Sequence, residues 1–258
     1  MQIYVCVKHV PDTASNIRLT SPTAFDESVK FVVNPYDEYA VEEAVQIKEK
    51  QGGEVVVVTV GKEAAAVTMR SALAMGADRG ILVRTDETFL DSGVTSRALK
   101  SAIEADGAPD LILAGKQSVD SEGMQTHYRL ARAFDMPVAT NVVSLQLDGG
   151  RATVEREAGG GLKEVIEMRT PCVVGAAKGL NAPRYPKFPD IMQAKKKEIK
   201  QIRLADLGID PANGGAKVLA LEKVPDRSGA VMLDGGAKEA ADRLTAILVE
   251  QKIIRNGA

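Results

Sequence analysis

Residues 54–83 have the sequence EVVVVTVGKEAAAVTMRSALAMGADRGILV, which contains the pattern of a complete βαβ unit. Residues 54–60 form an almost continuous apolar run of the length of a buried strand. Residues 62–75 carry apolar side chains at helical spacing and are followed by a glycine, a common residue just beyond a helix end. A second apolar run at residues 80–83 predicts the next strand. Two buried strands joined by a helix indicate parallel pairing in one sheet.

The same alternation of strands and helices extends in both directions from this unit. Residues 3–7 form an apolar strand-like run. Asn34-Pro35 predicts a helix start, because Asn caps helices and Pro suits the first helical position. Further along, a helix, a strand and another helix are predicted at residues 92–104, 109–114 and 124–134. The fold class is therefore predicted to be α/β, with a Rossmann-like parallel sheet covered by helices on both faces.

The pattern changes after this alternation. Residues 142–157, VVSLQLDGGRATVERE, place Asp-Gly-Gly between two alternating runs, which predicts a β-hairpin. Residues 162–168 and 171–176 predict two further strands. Residues 198–237 are polar and punctuated by Gly and Pro, and a last amphipathic helix is predicted at residues 238–253. Residues 198–258 have too little apolar surface for a core of their own, so they are expected to be either disordered or an arm that packs on another protein. The apolar stripe of the last helix favours the arm.

Composition narrows the class of protein. The 258 residues have a net charge of -2 and 4% aromatic residues, which disfavours a nucleic-acid-binding surface. No apolar run reaches the length of a membrane span, and the N-terminal residues lack the features of a signal peptide. Cys6 and Cys172 lie in strand-like runs and are predicted to be buried thiols. Two cysteines and two histidines far apart offer no metal-ligand spacing. A reducing, cytoplasmic setting is expected.

A polar loop follows the predicted strand at residues 109–114. Residues 114–126, AGKQSVDSEGMQT, combine Gly, Ser, Thr, Gln and Lys just before a helix, and such a segment suits a phosphate. Ligands of open parallel sheets bind beyond the carboxyl ends of the strands. The dinucleotide motif GxGxxG is absent, and GKQS departs from the phosphate-loop motif at Asp110 and Gln117. The residues alone thus predict an adenine-nucleotide or phosphate ligand.

The residues that could carry catalysis are few. His9 and His127 are isolated, Glu155 and Glu157 are predicted to share a solvated strand face, and no GxSxG or Cys/His signature occurs. One open hypothesis is a stand-alone adenine-nucleotide-processing enzyme of similar fold. Such an enzyme is expected to have a Ser-Gly-Gly type loop after the first strand, where this chain has KHVPDT. This hypothesis is therefore disfavoured.

Six motifs resemble the beta subunits of electron transfer flavoproteins. In chain order they are VCVKHVPD, NPYDEYAVEEAVQIKE, ALAMGADRGI, LILAGKQSVD, VEREAGGGLKEVIEMRTPCVV and LNAPRYPKFPDIMQAKKK, and together they extend the resemblance over residues 1–208. The resemblance implies an adenine-nucleotide alpha-hydrolase-like Rossmann domain with an added β-hairpin region and an extended C-terminal arm. It also implies an electron-carrier subunit, not itself an enzyme, because the chemistry belongs to a flavin.

The resemblance further implies partners and domain bounds. The expected partner is an alpha subunit that carries most of the FAD, in an obligate heterodimer. Acyl-CoA dehydrogenase-type proteins would donate electrons, and a quinone oxidoreductase or other acceptor would receive them. Residues 1–197 would form the nucleotide-binding domain, including a recognition loop at residues 181–197, and residues 198–258 would form an arm on the alpha subunit. No nucleic acid and no membrane insertion are expected.

Family binding positions can be carried over where the motifs match. The resemblance implies a nucleotide pocket made of Cys6, Asn34, Pro35, Tyr36, Asp37, Val60, Gly115, Lys116, Gln117, Ser118, Val119, Asp120, Ser121, Glu122, Gly123, Met124, Gln125 and Thr126. Asn34 is expected first of all to cap its helix. The implied partner-binding residues are Tyr185, Phe188 and Glu157, with Phe188 displayed on a stiff, proline-rich loop for the dehydrogenase. Ala182 replaces a family Glu in that loop.

Two ligands remain open for this pocket. In one family type the beta subunit holds AMP as a structural ligand. In the electron-bifurcating type it holds a second FAD and oxidises NADH. Gln125-Thr126 matches the AMP type, whereas Met124, His127 and Tyr128 fit neither pattern. Their size is expected to leave less room beyond the first phosphate, which favours AMP.

Overall fold

The structure is a computed structural model that describes residues 1–225 and 229–255. The predicted arm at residues 198–258 therefore extends partly outside the described residues. The strands are β1 (Gln2–Cys6), β2 (His9–Pro11), β3 (Leu19–Ser21), β4 (Ala24–Phe25), β5 (Phe31–Val33), β6 (Glu54–Gly61), β7 (Arg79–Arg84), β8 (Leu111–Gly115), β9 (Val138–Asp148), β10 (Arg151–Gly159), β11 (Leu162–Arg169), β12 (Cys172–Ala176) and β13 (Ile199–Arg203). The helices are α1 (Pro35–Gln51), α2 (Ala65–Ala74), α3 (Ser92–Glu104), α4 (Thr126–Phe134), α5 (Phe188–Ala194) and α6 (Ala237–Glu250).

The main sheet has nine strands in the order β11-β10-β9-β12-β8-β1-β6-β7-β13. Every neighbouring pair from β9 to β13 is parallel. β9, β10 and β11 pair antiparallel and form the hairpin region at one end. The predicted α/β class, with a Rossmann-like parallel sheet, is confirmed.

Helices cover both faces of this sheet because the strands alternate their side chains between them. In β1, Ile3 and Val5 pack on the face covered by α1 and α2, whereas Tyr4 packs on the face covered by α3 and α4. All three side chains are fully buried. Burial on both faces explains why the central strands are apolar throughout instead of alternating with polar residues.

The order of the strands reverses beside β1. The chain runs from β1 to β6 and β7 on one side, and then returns to β8 on the other side. In open α/β sheets, this reversal opens a crevice at the carboxyl ends of the strands, where ligands bind. The ends of β1 and β8, the start of α1 and the loop before α4 all meet at this crevice.

Three parts of the fold differ from the pattern that the sequence predicts. The stiff loop expected at residues 181–197 is helical from Phe188 to Ala194, since Pro189 lies in the first helical turn, where proline is tolerated. Residues 199–203 form β13 at the sheet edge, paired parallel with β7. Two small sheets, β2-β5 and β3-β4, fold the segment between β1 and α1.

The chain divides into two compact units, Met1–Leu221 and Glu222–Ala258. The domain boundary expected at residue 197 lies inside the first unit. The second unit contains α6, and none of its described residues is buried. Among the described residues, no helix has both the length and the apolar character needed to cross a membrane.

Candidate functional site

Asp37 lies at the centre of the crevice between β1 and β8. Its side chain accepts hydrogen bonds from the backbone N–H of Lys8 at 2.7 Å, the backbone N–H of Gly115 at 2.9 Å and the side-chain Nδ2 of Asn34 at 2.9 Å. Burial raises the pKa of the Asp37 carboxyl to about 7, while the three N–H donors favour the ionised form. The structure thus brings together the predicted residues Asn34, Asp37 and Gly115.

Gly115 allows this close contact because it has no side chain. A Cβ at this position would lie 2.4 Å from Asp37 Oδ1 and 2.7 Å from the Cβ of Tyr36. Any other residue would push the start of α1 away from the end of β8. Glycine is therefore required here by close packing at the crevice and not by a positive φ angle.

The predicted helix start at Asn34-Pro35 is confirmed, but Asn34 does not cap α1 with its side chain. Its backbone occupies the N-cap position, but its side chain makes no capping hydrogen bond. Nδ2 instead donates to the carbonyl oxygen of Gln117 at 2.8 Å, and Oδ1 accepts from the N–H of Val119 at 3.1 Å. Through these two contacts Asn34, which is 1% exposed, holds the loop before α4 from the buried side.

Lys8 closes the loop from another side, and the list of expected site residues omitted it. Its Nζ pairs with Asp120 Oδ2 at 2.7 Å and contacts the hydroxyls of Ser118 at 3.4 Å and Ser121 at 3.3 Å. Burial opposes ionisation of Asp120, but the charge and hydrogen bond of Lys8 lower the pKa of that carboxyl overall. The position of Lys8 just after a buried strand was the signal in the sequence that pointed to this role.

The rest of the loop faces solvent. Residues 121–125 are exposed, and the backbone has positive φ at Glu122 (49°) and Met124 (52°). Gln125, directly after Met124, has right-handed helical geometry. Successive residues of opposite handedness can turn neighbouring N–H groups toward one point and so form a cradle for an anion.

The remaining pocket residues differ in burial. Cys6 is buried at the end of β1, and burial together with Asp37 raises the pKa of its thiol to about 12. Burial likewise raises the pKa of Cys172 to about 11, so both thiols are neutral near pH 7. Val60 is half-buried near the end of β6. Lys116 places its Nζ 5.2 Å from the ring centroid of Tyr36, a cation–π contact.

The segment predicted to bind a partner is fixed at one end on α1. Arg184 pairs with Glu42 at 2.8 Å and with Glu49 at 2.6 Å. Asn181 donates to the carbonyl oxygen of Tyr39 at 3.0 Å and to Glu43 at 2.9 Å. These contacts bind the beginning of the segment to one face of a long helix.

The other end of the segment is fixed on α2. Arg70 donates to the carbonyl oxygens of Ala194 and Lys197. The Nζ of Lys197 donates to the carbonyl oxygens of Leu73 at 2.9 Å and Ala77 at 2.6 Å, at the C-terminal end of α2. A cation satisfies helix-end carbonyls that have no intrahelical partner.

Two aromatic side chains are exposed between these anchors. Tyr185 is 96% exposed and Phe188 is 74% exposed. Glu157, the third residue expected at the partner surface, lies on β10 in the hairpin region, whereas Tyr185 and Phe188 lie just before and at the start of α5. The two aromatic residues therefore form a surface of their own.

Comparison with known proteins gives a consistent result. A family model described as electron transfer flavoprotein domain matches residues 23–207. The chain is 37% identical over 259 residues to the electron transfer flavoprotein subunit beta of Bacillus subtilis, covering 98% of this chain and 100% of that protein. This chain belongs to the electron transfer flavoprotein beta-subunit family. It is also 39% identical over 240 residues to the human subunit beta, covering 91% of this chain and 93% of that protein.

The predicted resemblance to this family is confirmed. Membership makes the chain a component of an electron-transfer flavoprotein, and its relatives are electron-transfer subunits. The family match extends through β13, so the edge strand that the sequence pattern did not predict belongs to the family domain.

Proposed function

We propose that this beta subunit pairs with an FAD-carrying alpha subunit and carries electrons from acyl-CoA dehydrogenase-type donors to a quinone oxidoreductase or another acceptor. In the proposed complex, this chain binds AMP as a structural ligand in the crevice between β1 and β8. FAD, when bound, supplies the electron-carrying chemistry. The chain's own residues bind the nucleotide and present a surface to the donor.

The observation that carries the nucleotide proposal is the set of donors around the loop before α4. Lys8, Ser118 and Ser121 lie within hydrogen-bond reach of one another at a strand switch point, and the exposed loop backbone has the geometry of an anion cradle. A phosphate needs such hydroxyl, ammonium and backbone N–H donors. The hydroxyls and the loop N–H groups therefore fit a nucleotide phosphate, while the Lys8 ammonium is shared with the Asp120 carboxylate.

The choice between AMP and a second FAD depends on the room beyond that phosphate. Of the three bulky residues that set this chain apart, His127 is 3% exposed and is buried in the core. Met124 and Tyr128 are 39% and 44% exposed and remain able to limit the space beside the loop. This arrangement supports AMP as the ligand of the site.

The nucleotide content of the purified heterodimer tests the proposal. The complex with the alpha subunit is denatured, and the released nucleotides are separated by chromatography and quantified. About one FAD and one AMP per heterodimer is the expected result. Two FAD and no AMP would instead assign the chain to the electron-bifurcating type. ATP turnover by the chain alone would point to the nucleotide-processing enzyme.

A further inference from the structure

Asp37 joins three parts of the chain that are distant in sequence. It accepts hydrogen bonds from the end of β1 at Lys8, from the end of β8 at Gly115 and from the start of α1 at Asn34. Asp37 is 5% exposed, so water cannot easily replace these partners. Asp37 thereby fixes the relative positions of two strand ends and one helix start.

Asn34 transmits this position to the loop. Its amide makes two contacts with the loop, one through Nδ2 to Gln117 and one through Oδ1 to Val119. A side-chain amide can flip, which would exchange its donor and acceptor ends. Both oxygens of Asp37 accept from backbone N–H groups, so above its pKa of about 7 the carboxylate only accepts hydrogen bonds and requires Nδ2 of Asn34 to face it. With Nδ2 held there, Oδ1 is left to accept from Val119.

We propose that Asp37 is a positioning residue that fixes the orientation of the Asn34 amide and thereby sets the conformation of the nucleotide loop, residues 116–125. This inference rests on the proposed function, in which that loop binds the nucleotide phosphate. Asp37 makes no hydrogen bond to residues 116–125 in the described structure. It reaches the loop through Asn34, and it also holds the backbone of Lys8, whose Nζ contacts the loop, and of Gly115, which precedes it.

The test is Asp37→Asn in the full-length chain, with two measurements. An Asn at this position offers an NH2 group where a carboxylate oxygen now accepts, and it allows the Asn34 amide to flip. Hydrogen exchange of the Val119 amide is expected to be at least about tenfold faster than in the wild type, because the loss of about one hydrogen bond corresponds to that factor. The dissociation constant for AMP, measured by calorimetry, is expected to rise by about the same factor.

Thr59→Val is the matched control. Thr59 is 1% exposed, and its Oγ1 donates to the carbonyl oxygen of Val7 at 2.9 Å, at the same end of the sheet. The Thr59→Val substitution thus removes a buried hydrogen bond from the same region and changes no contact of the loop or of Asn34. The control should lower the free energy of unfolding but leave Val119 exchange and AMP binding close to wild-type values.

The outcomes separate this inference from the proposed function. Unchanged Val119 exchange in Asp37→Asn overturns the inference, as does an equal change in the Thr59→Val control. If the wild type binds no AMP, the proposed ligand fails, and Val119 exchange alone decides the role of Asp37. If Asp37→Asn does not fold, Asn34→Ala replaces it, since it keeps the backbone contacts of Asp37. Weaker AMP binding in that variant supports the inference, and wild-type AMP binding overturns it.

Discussion

At the scale of single residues, His127 shows how burial changes the pKa of a side chain. It lies in the first turn of α4 and is 3% exposed, and within the described part of the chain its Nε2 has no hydrogen-bond partner. Burial lowers the pKa of the ring from 6.5 to about 4. The folded chain therefore keeps His127 neutral over a pH range in which the unfolded chain protonates it.

We predict that His127→Phe reduces the dependence of stability on pH between 4 and 6.5. Below pH 6.5 the unfolded wild type binds a proton at this ring that the folded state does not, so stability is complete above pH 6.5 and is lost as the pH falls. The loss amounts to about 3 kcal/mol at most near pH 4. Urea unfolding of both proteins at pH 7.5 and 4.5 measures the difference. Parallel pH profiles would show that the ring does not control this effect.

Phe188 is the second residue that allows a sharp prediction. Replacing it with Ala is expected to weaken docking of the electron-donating dehydrogenase by roughly 1–3 kcal/mol, because an exposed aromatic side chain on an anchored segment loses little entropy when it binds. The measurement is the electron-transfer rate as a function of dehydrogenase concentration, with flavin content unchanged. Leu19→Ala is a control, since Leu19 is 42% exposed and lies on β3, which holds none of the residues expected to bind a partner. An identical concentration dependence for wild type and Phe188→Ala would contradict the docking role.

At the scale of elements, the segment around α5 depends on two anchors. Arg184 links it to α1 through the carboxylates of Glu42 and Glu49, which lie about two helical turns apart. Lys197 links it to the end of α2. Burial lowers the pKa of Lys197, which shows that its charge is partly withdrawn from water to serve the α2 carbonyls. Anchors at both ends explain how a short helix can present Phe188 in a fixed position.

We predict that Arg184→Lys loosens this segment although the charge is retained. A single ammonium cannot reproduce the fork that reaches both Glu42 and Glu49. Unfolding free energy should fall by roughly 1 kcal/mol, and amides of residues 185–192 should exchange faster. Arg203→Lys is the control, because Arg203 also forms a two-point pair, with Asp206, but at an exposed position. Equal effects of Arg184→Lys and Arg203→Lys on stability and exchange would contradict the anchoring role of Arg184.

The same elements show what the sequence can predict and what it cannot. The apolar run of β6 and the helical spacing of α2 predict their elements, because burial on both faces dictates these residues. β13 was missed since an edge strand buries little, and its five residues leave three exposed. Asn34 occupies the predicted N-cap position, but its side chain does not cap α1 because it binds Asp37 three residues away and Gln117 and Val119, which are distant in sequence. Local preference cannot reveal partners that only the folded chain brings together.

At the scale of the whole molecule, the chain combines a well-packed unit with a second unit in which none of the described residues is buried. The first unit contains the nine-stranded sheet and both core clusters. The described part of the second unit contains α6, which has apolar residues such as Leu244, 47% exposed, along one side. An amphipathic helix that buries nothing within its own unit is expected to bury its apolar face on another protein. This supports the proposed contact with the alpha subunit.

We therefore predict that a chain ending at Leu221 folds but does not pair with the alpha subunit. The midpoint of thermal unfolding, followed by circular dichroism, should stay close to that of the full chain, because no described residue after Leu221 is buried. Size-exclusion chromatography with the alpha subunit should show separate proteins. Leu244→Ala in the full chain serves as a milder variant that weakens pairing without shortening the chain. A truncated chain that pairs as tightly as the full one would show that α6 serves another purpose, and a truncated chain that unfolds would show that the first unit depends on the second.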